Sequence, residues 1–284
     1  MSELPIVLLP LGADEDALDA CLAALEQSTP AGTPVWLADD AQAGPRGIAL
    51  VEGWLQRTRL RAEYTRRAQP IGEVAHLQQM LAACGDADVV VLAADAQPLP
   101  GWLGQLAACL ARDASIATAT PWCNAGEAAA WPRLGEICQA PHDPALTAQA
   151  CAALPPLHPE LPAAGSHAVA LRGSARRRAG GLDTASFGSW YAALVDLSLR
   201  LSGLGWRNAL CETAFVVRGG EGGPGEGDMD ALAARWPGWH ARLAGFLMQD
   251  PLHGLRGQLQ ELHLRLRRDG QSDLFTAAPL EQAP

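Results

Sequence analysis

The 284-residue sequence contains no lysine, so all 21 of its basic residues are arginine. With abundant Ala, Gly and Pro, this usage points to a GC-rich bacterial genome rather than to a function. Acidic residues number 31, giving a formal charge of −10 and a pI near 5.1. That balance excludes nucleic acid as a bulk electrostatic partner, because phosphate binding rests on clustered Lys and Arg. No apolar run approaches the ~18 residues of a membrane span. Met1 to Pro5 lacks the basic start of a signal peptide, so the expected location is cytoplasmic, or peripheral at an inner membrane. The seven cysteines are scattered and form no CxxC pair, which argues against a zinc site or a disulfide framework. They read as small buried hydrophobes in a reducing compartment. What is plentiful is apolar residues, at 49%, enough for the core of one large domain or of one and a half.

The apolar residues alternate between two periods. Pro5 to Pro10 reads as a short buried strand, and Asp14 to Glu26 as a helix with Leu18, Cys21, Leu22 and Leu25 on one face. Pro34 to Ala38 is a second strand that ends in Asp39 and Asp40, followed by a helix through Ile48 to Arg57. A short strand at Leu60 to Thr65, a helix at Glu73 to Cys84 and a strand at Val89 to Leu92 come next. This alternation, with carboxylates at the strand ends, describes a parallel sheet that binds a nucleotide. The second half is less regular. It holds a helix at Pro144 to Ala153, a strand at Gly165 to Arg172, the glycine-rich loop GGEGGPGEG at Gly219 to Gly227, and helices from Asp228 to about Arg268 punctuated by Pro237 and Pro251. No internal repeat is present.

The stretch VVVLAADAQPLPGWLGQL, Val89 to Leu106, is the most informative. Its strand ends near a single carboxylate, Asp95, where open α/β sheets hold ligands. The order of Ile6 to Leu9, Asp39-Asp40, Asp95 before PLPGWL, ATATPWCNAGE, GGLDTASF and DLSLRLSGLGWRNALC resembles the family 2 glycosyltransferases with the GT-A fold. The resemblance spans roughly Leu4 to Gly223. It implies an α/β fold, a GT-A-like nucleotide-binding sheet flanked by helices over residues 1–227; the helical C-terminal extension over 228–284 is read from its own apolar pattern alone. It also implies an inverting enzyme that moves a sugar from a nucleotide-diphosphate donor to a glycan or lipid-linked acceptor in bacterial polysaccharide or glycoconjugate synthesis.

Carried over by that resemblance, Asp39 is the carboxylate that accepts the N–H of a nucleobase edge, and Asp95 is the last aspartate of the family's metal-binding Asp-x-Asp. Read from the residues alone, Asp39 is equally a turn or helix-capping residue. Three departures follow. Ala93 replaces the first aspartate, so manganese or magnesium, which favour oxygen ligands, lose one and leave Asp95 a weak metal ligand. Ala193 and Leu194 stand where the family carries the base that deprotonates the acceptor, leaving Asp196 as a surrogate base or as a carboxylate near a helix start. Arg218 replaces a histidine metal ligand. It supplies a guanidinium able to grip a diphosphate, which would make the enzyme metal-independent.

Two readings stay open from these residues: an active transferase with Asp39, Asp95, Arg218 and Asp196 in those roles, and a catalytically degenerate binding or scaffold protein that keeps the fold. Arg172, Arg176, Arg177 and Arg178 read as a solvated basic turn or a contact for an anionic acceptor. In the tail, Leu252, Leu255, Leu259, Leu262 and Leu266 form a seam with Arg256, Glu261, Arg265, Arg267 and Arg268 mostly off it. The seam suits either packing on the chain's own domain or a homodimer through this helix.

Overall fold

The computed structural model describes residues 4–220 and 222–276. Expectations about the extreme termini and Glu221 of the glycine-rich loop lie outside the described residues. Eight strands form one mixed sheet in the order β3-β2-β1-β4-β7-β6-β8-β5. In chain order they are β1 Ile6–Pro10, β2 Pro34–Asp39, β3 Arg61–Arg66, β4 Val89–Leu92, β5 Ala96–Pro98, β6 Ile116–Trp122, β7 Ala168–Leu171 and β8 Arg207–Arg218. β3, β2, β1 and β4 run parallel. β7 is antiparallel to both β4 and β6, and β6 runs parallel to β8. The fold is therefore α/β, as the alternating pattern predicts. The central strands VVVL and AVAL are buried throughout, the signature of strands covered on both faces.

Two layers of helices provide that cover. α1 Glu15–Ser28, α2 Pro45–Leu55 and α4 Trp102–Arg112 contribute Leu18, Val51 and Leu106 to one core with Val7, Leu9 and Val90. On the opposite face, α3 Glu73–Ala83, α6 Gly173–Ala179 and α7 Trp190–Gly203 bury Leu77, Ala175 and Leu197 against Leu8, Val91 and Val169. Local chemistry starts these helices where the sequence suggests. Asp14 accepts from the Asp16 and Ala17 amides, Asp143 caps α5 Pro144–Ala152, and Ser189 caps α7. In PLPGWL, Gly101 takes φ 84, a conformation that favours glycine, and so turns Trp102 into the core, where it is 1% exposed.

The expected solvated basic turn is corrected at two of its four arginines, Arg172 and Arg176. Arg176 is buried and donates to the carbonyls of Leu81, Gly85 and Ala87, closing the C-terminus of α3. Arg172 does the same for α4 through Leu110, Asp113 and Ile116. A guanidinium suits the unpaired carbonyls at the negative end of a helix. Arg177, paired with Asp86, and Arg178 are exposed, as a solvated basic turn would have them.

The helices after the glycine-rich loop, α8 Asp228–Arg235, α9 Trp239–Gln249 and α10 His253–Thr276, build no core of their own. Leu232 and Trp239 complete the core around α3 and α7. The leucine seam of α10 is used inside the chain: Leu252, Leu255 and Leu259 are buried with Trp131, Leu154 and Phe215, and Leu262 and Leu266 pack on the same cluster. The seam is thus committed to packing within the chain, the first of the two uses expected of it. Arg256, expected off the seam, is also buried. It lies 5.7 Å over the Trp122 ring, donates to the Ala130 carbonyl and pairs with Asp250.

Candidate active site

The C-terminal ends of the parallel strands β1, β2, β3 and β4 share one edge of the sheet with the ends of β6 and β8 and the entry to antiparallel β7. Asp39 ends β2 and Asp95 follows β4, with β1 between the two strands. Two strand spacings put them roughly 10 Å apart across the sheet, the scale of a nucleoside diphosphate.

Asp39 is fully buried, and protein donors reach both of its oxygens. Oδ1 accepts from the Gln42 amide at 2.7 Å and the Ala43 amide at 3.2 Å. Oδ2 accepts from the Tyr64 hydroxyl at 3.1 Å and from Arg66. A nucleobase N–H would reach this carboxylate only by displacing Tyr64 or Arg66. Neighbouring Asp40 accepts from the Ile71 and Gly72 amides and so ties the segment after β3 to the end of β2.

Asp95 and Arg218 meet. Arg218 Nε donates to both Asp95 oxygens, at 2.9 and 2.8 Å, and Nη1 reaches Ser166 Oγ at 3.3 Å. The arginine backbone is fixed by Asn124, whose amide accepts from Arg218 N at 2.8 Å and donates to its carbonyl at 2.9 Å. A Cβ on Gly222 would lie 2.6 Å from Nη1, so the glycine-rich loop closes against the guanidinium only because it carries no side chain there. Asp228 holds that loop in place, accepting from the Gly225, Gly188 and Ser189 amides. Burial raises the Asp228 pKa, but hydrogen bonds from Ser189, Gly188 and Gly225 outweigh it and hold the carboxyl below its ordinary range.

These residues do not fit a divalent cation. Asp95 is engaged by an arginine, Ala93 offers no ligand, and among the described residues no three His, Cys, Asp or Glu side chains converge. His167, immediately before β7, is buried and donates from Nε2 to the Pro121 carbonyl at 2.9 Å. Burial, assisted by Arg218, pushes its pKa down to about 4, so it is neutral near pH 7.

Asp196 is not at this site. It lies in the middle of α7 rather than at a helix start, is fully buried, and accepts from Arg200 Nε at 2.9 Å, Trp236 Nε1 at 2.9 Å and Arg235 at 3.2 Å. A carboxylate locked by two guanidiniums and an indole joins α7 to α8 and cannot reach an acceptor hydroxyl. Ala193 and Leu194 are also fully buried.

Beside Arg218 a cavity of ≈ 110 Å³ opens between the turn after β6, the loop before β7 and the first turns of α7 and α9. Its polar walls are Arg218, Ser166, His167, Glu127 and Tyr191, and its apolar walls include Leu161, Val195 and Trp239. The Trp239 indole N–H is buried without a partner among the described residues. Sequence reasoning assigned no role to Glu127, Tyr191, Ser166 or Asn124. For Asn124 and Glu127 the position in TPWCNAGE, and for Tyr191 the start of α7, was the available signal.

No protein-family profile matches the chain, and no curated protein matches it in sequence. Solved structures do match. GalNAc-T7 with UDP, GalNAc and Mn2+ superposes with a TM-score of 0.60 at 12% identity, over 99% of this chain and 59% of that one. The mannosyltransferase PcManGT from Pyrobaculum calidifontis, with GDP-Man and Mn2+, gives a TM-score of 0.54 at 16% identity, over 98% and 77%. TarS of S. aureus with UDP-GlcNAc gives 0.53 at 11% identity, over 77% and 59%. This chain thus spans about three-fifths of the GalNAc-T7 and TarS chains. At 11–16% identity these likenesses show the fold: the chain has the GT-A glycosyltransferase fold.

Proposed function

We propose that the chain is a family 2 type glycosyltransferase that binds a nucleotide-diphosphate sugar along the strand-end edge and transfers the sugar without a divalent cation. The observation that carries this reading is the Arg218–Asp95 pair. Asp95 holds Nε, so the guanidinium plane is fixed while its Nη1 and Nη2 donors project toward Ser166, Gly222 and the cavity. A guanidinium has five N–H donors, and the two terminal nitrogens match the oxygens of a diphosphate. Asp95 then acts as the group that positions Arg218, and Arg218 stabilises the negative charge that builds on the leaving nucleoside diphosphate. The nucleoside lies toward β2 and β3, where Asp39 organises Tyr64 and Arg66 and reads the base edge once Arg66 is displaced. The reading includes a glycan or lipid-linked acceptor, a bacterial polysaccharide or glycoconjugate product, and action in the cytoplasm or at the inner-membrane surface. Self-association would use a face of α10 other than its leucine seam.

A second reading, a donor-binding or scaffold protein without transfer, is favoured by one observation: Asp196 and the Ala193–Leu194 pair supply no base to the cavity. Calorimetric titration with UDP-GlcNAc and GDP-mannose, first in EDTA and then in manganese, tests the proposal. Binding of at least one donor in EDTA, changed less than about threefold by manganese, is expected. Binding that appears only with manganese refutes the metal-independent site, and no binding of either donor refutes the transferase reading.

A further inference from the structure

Resting on the transferase reading, we infer that Glu127 is the catalytic base that deprotonates the acceptor hydroxyl and that Tyr191 positions it. The base expected from the start of α7 is missing, because Ala193 and Leu194 are buried and apolar. Two positions earlier on the same helix, however, Tyr191 lines the cavity and donates from its hydroxyl to Glu127 Oε1 at 2.8 Å. The carboxylate comes from a different element, the turn CNAGEAAA between Cys123 and Ala130, in which it is the single ionisable acid.

That turn is well anchored. Cys123 and Ala130 bridge, the Cys123 amide donates to the Ala129 carbonyl at 3.0 Å, and the Trp131 amide donates to the Cys123 carbonyl at 2.8 Å. Asn124 ties the same turn to the Arg218 backbone, so one short segment sets the guanidinium and the carboxylate on the rim of one cavity. Glu127 is exposed there while its neighbours Ala125, Ala128 and Ala129 are buried. A general base must come within a hydrogen bond of the proton it takes, and among the described residues that line the cavity Glu127 is the only carboxylate.

The step balances without a metal. The acceptor O–H proton passes to the Glu127 carboxylate, the acceptor oxygen bonds to the anomeric carbon, and the bond from that carbon to the diphosphate oxygen breaks. The nucleoside diphosphate leaves with the electron pair, opposite Arg218. With water in the acceptor position the same step is donor hydrolysis, which can be assayed before the natural acceptor is identified.

The experiment uses the full chain with UDP-GlcNAc and GDP-mannose in EDTA, following donor binding by calorimetry and nucleoside diphosphate release by a coupled assay. Glu127→Gln should bind donor within about twofold of the native chain and release nucleotide ~100-fold more slowly or worse, the lower end of what a general base contributes. Tyr191→Phe should retain release but shift its acid limb upward in pH. Losing a hydrogen bond to the charged carboxylate favours its protonated form, while among the described residues the other titratable and charged groups on the cavity wall, His167 and Arg218, stay in place. Release in Glu127→Gln within threefold of native, or an acid limb that ignores Tyr191→Phe, overturns the inference and leaves the donor site standing. Native chain that binds donor without releasing nucleotide also overturns it, in favour of the non-catalytic reading. Failure to bind any donor removes the transferase reading itself.

Discussion

Replacing Asp196 with alanine separates its structural role from a catalytic one. The carboxylate is fully buried in mid-helix and receives three donors, from Arg200, Arg235 and Trp236. Arg235 is 38% exposed and can turn to water, so its pair contributes little. Arg200 is 24% exposed and keeps the carbonyls of Ala179 and Gly181, yet its Nε loses its counter-charge. The Trp236 indole N–H is left without an acceptor on the α7–α8 contact. Breaking a buried charge pair on one side costs about 3–5 kcal/mol, and Arg200's remaining partners place Asp196→Ala at the lower end, about 3–4 kcal/mol. For a chain of this length, at about 2 °C per kcal/mol, the melting temperature should fall by roughly 6–8 °C. Scanning calorimetry measures it. Nucleotide release, assayed well below the transition, should stay within a few-fold of native. An unchanged melting temperature with abolished release would refute the structural assignment and return Asp196 to the reaction.

Leu259→Ala should cost ~2–5 kcal/mol, because its side chain is fully buried between α10 and the Trp131–Phe215 cluster. Truncation after Asp250 should expose that cluster and yield aggregated chain, and a stable, monodisperse truncated protein would contradict the shared core. Stability should also depend on pH through His167. Its folded pKa, about 4, lies below the ordinary 6.5, so the unfolded chain binds the extra proton first, and stability falls as pH drops from 6.5 toward 4. The full difference is about 3 kcal/mol. His167→Gln should flatten that slope in urea titrations, leaving the smaller contributions of His76 and His263, both lowered by burial. A slope of unchanged size would refute the assignment. The carboxylates act lower: Asp183, held at about 2, and Asp228 lose their contribution as pH falls below 3.8.

Much of the N-terminal half was legible because its signals are local. Short apolar runs mark β1, β2 and β4, a 3.6-residue period marks α1 to α3, and Asp39 and Asp95 fall at or just after the strand ends where the pattern puts them. The replacement of Ala93 and of the Arg218 position was readable by comparison with the family pattern, and the structure adds that the two remaining residues, Asp95 and Arg218, are partners. What could not be read depends on contacts distant in sequence. Asp196 finds Trp236 forty residues on, and Arg176 finds the α3 carbonyls some ninety residues earlier, so a mid-helix carboxylate and a basic run both look exposed when read locally. β5 has three residues and owes its place to β8, 120 residues away, too short for any period to show. Glu127 was hidden for the same reason: its partner Tyr191 is 64 positions away.

The account's central claim is that a fixed guanidinium does the work of the cation, and donor affinity of Arg218→Ala in EDTA tests it most directly. The terminal donors of Arg218 should be worth ~1.5–3 kcal/mol to a bound diphosphate, the scale of hydrogen bonds to a charged group. Calorimetry in EDTA should therefore show UDP-GlcNAc or GDP-mannose, whichever the native chain binds, weakened about 10- to 150-fold in the variant, with the melting temperature of the ligand-free protein nearly unchanged. Native-like affinity in Arg218→Ala, or affinity in the native chain that EDTA abolishes and manganese restores, would contradict it.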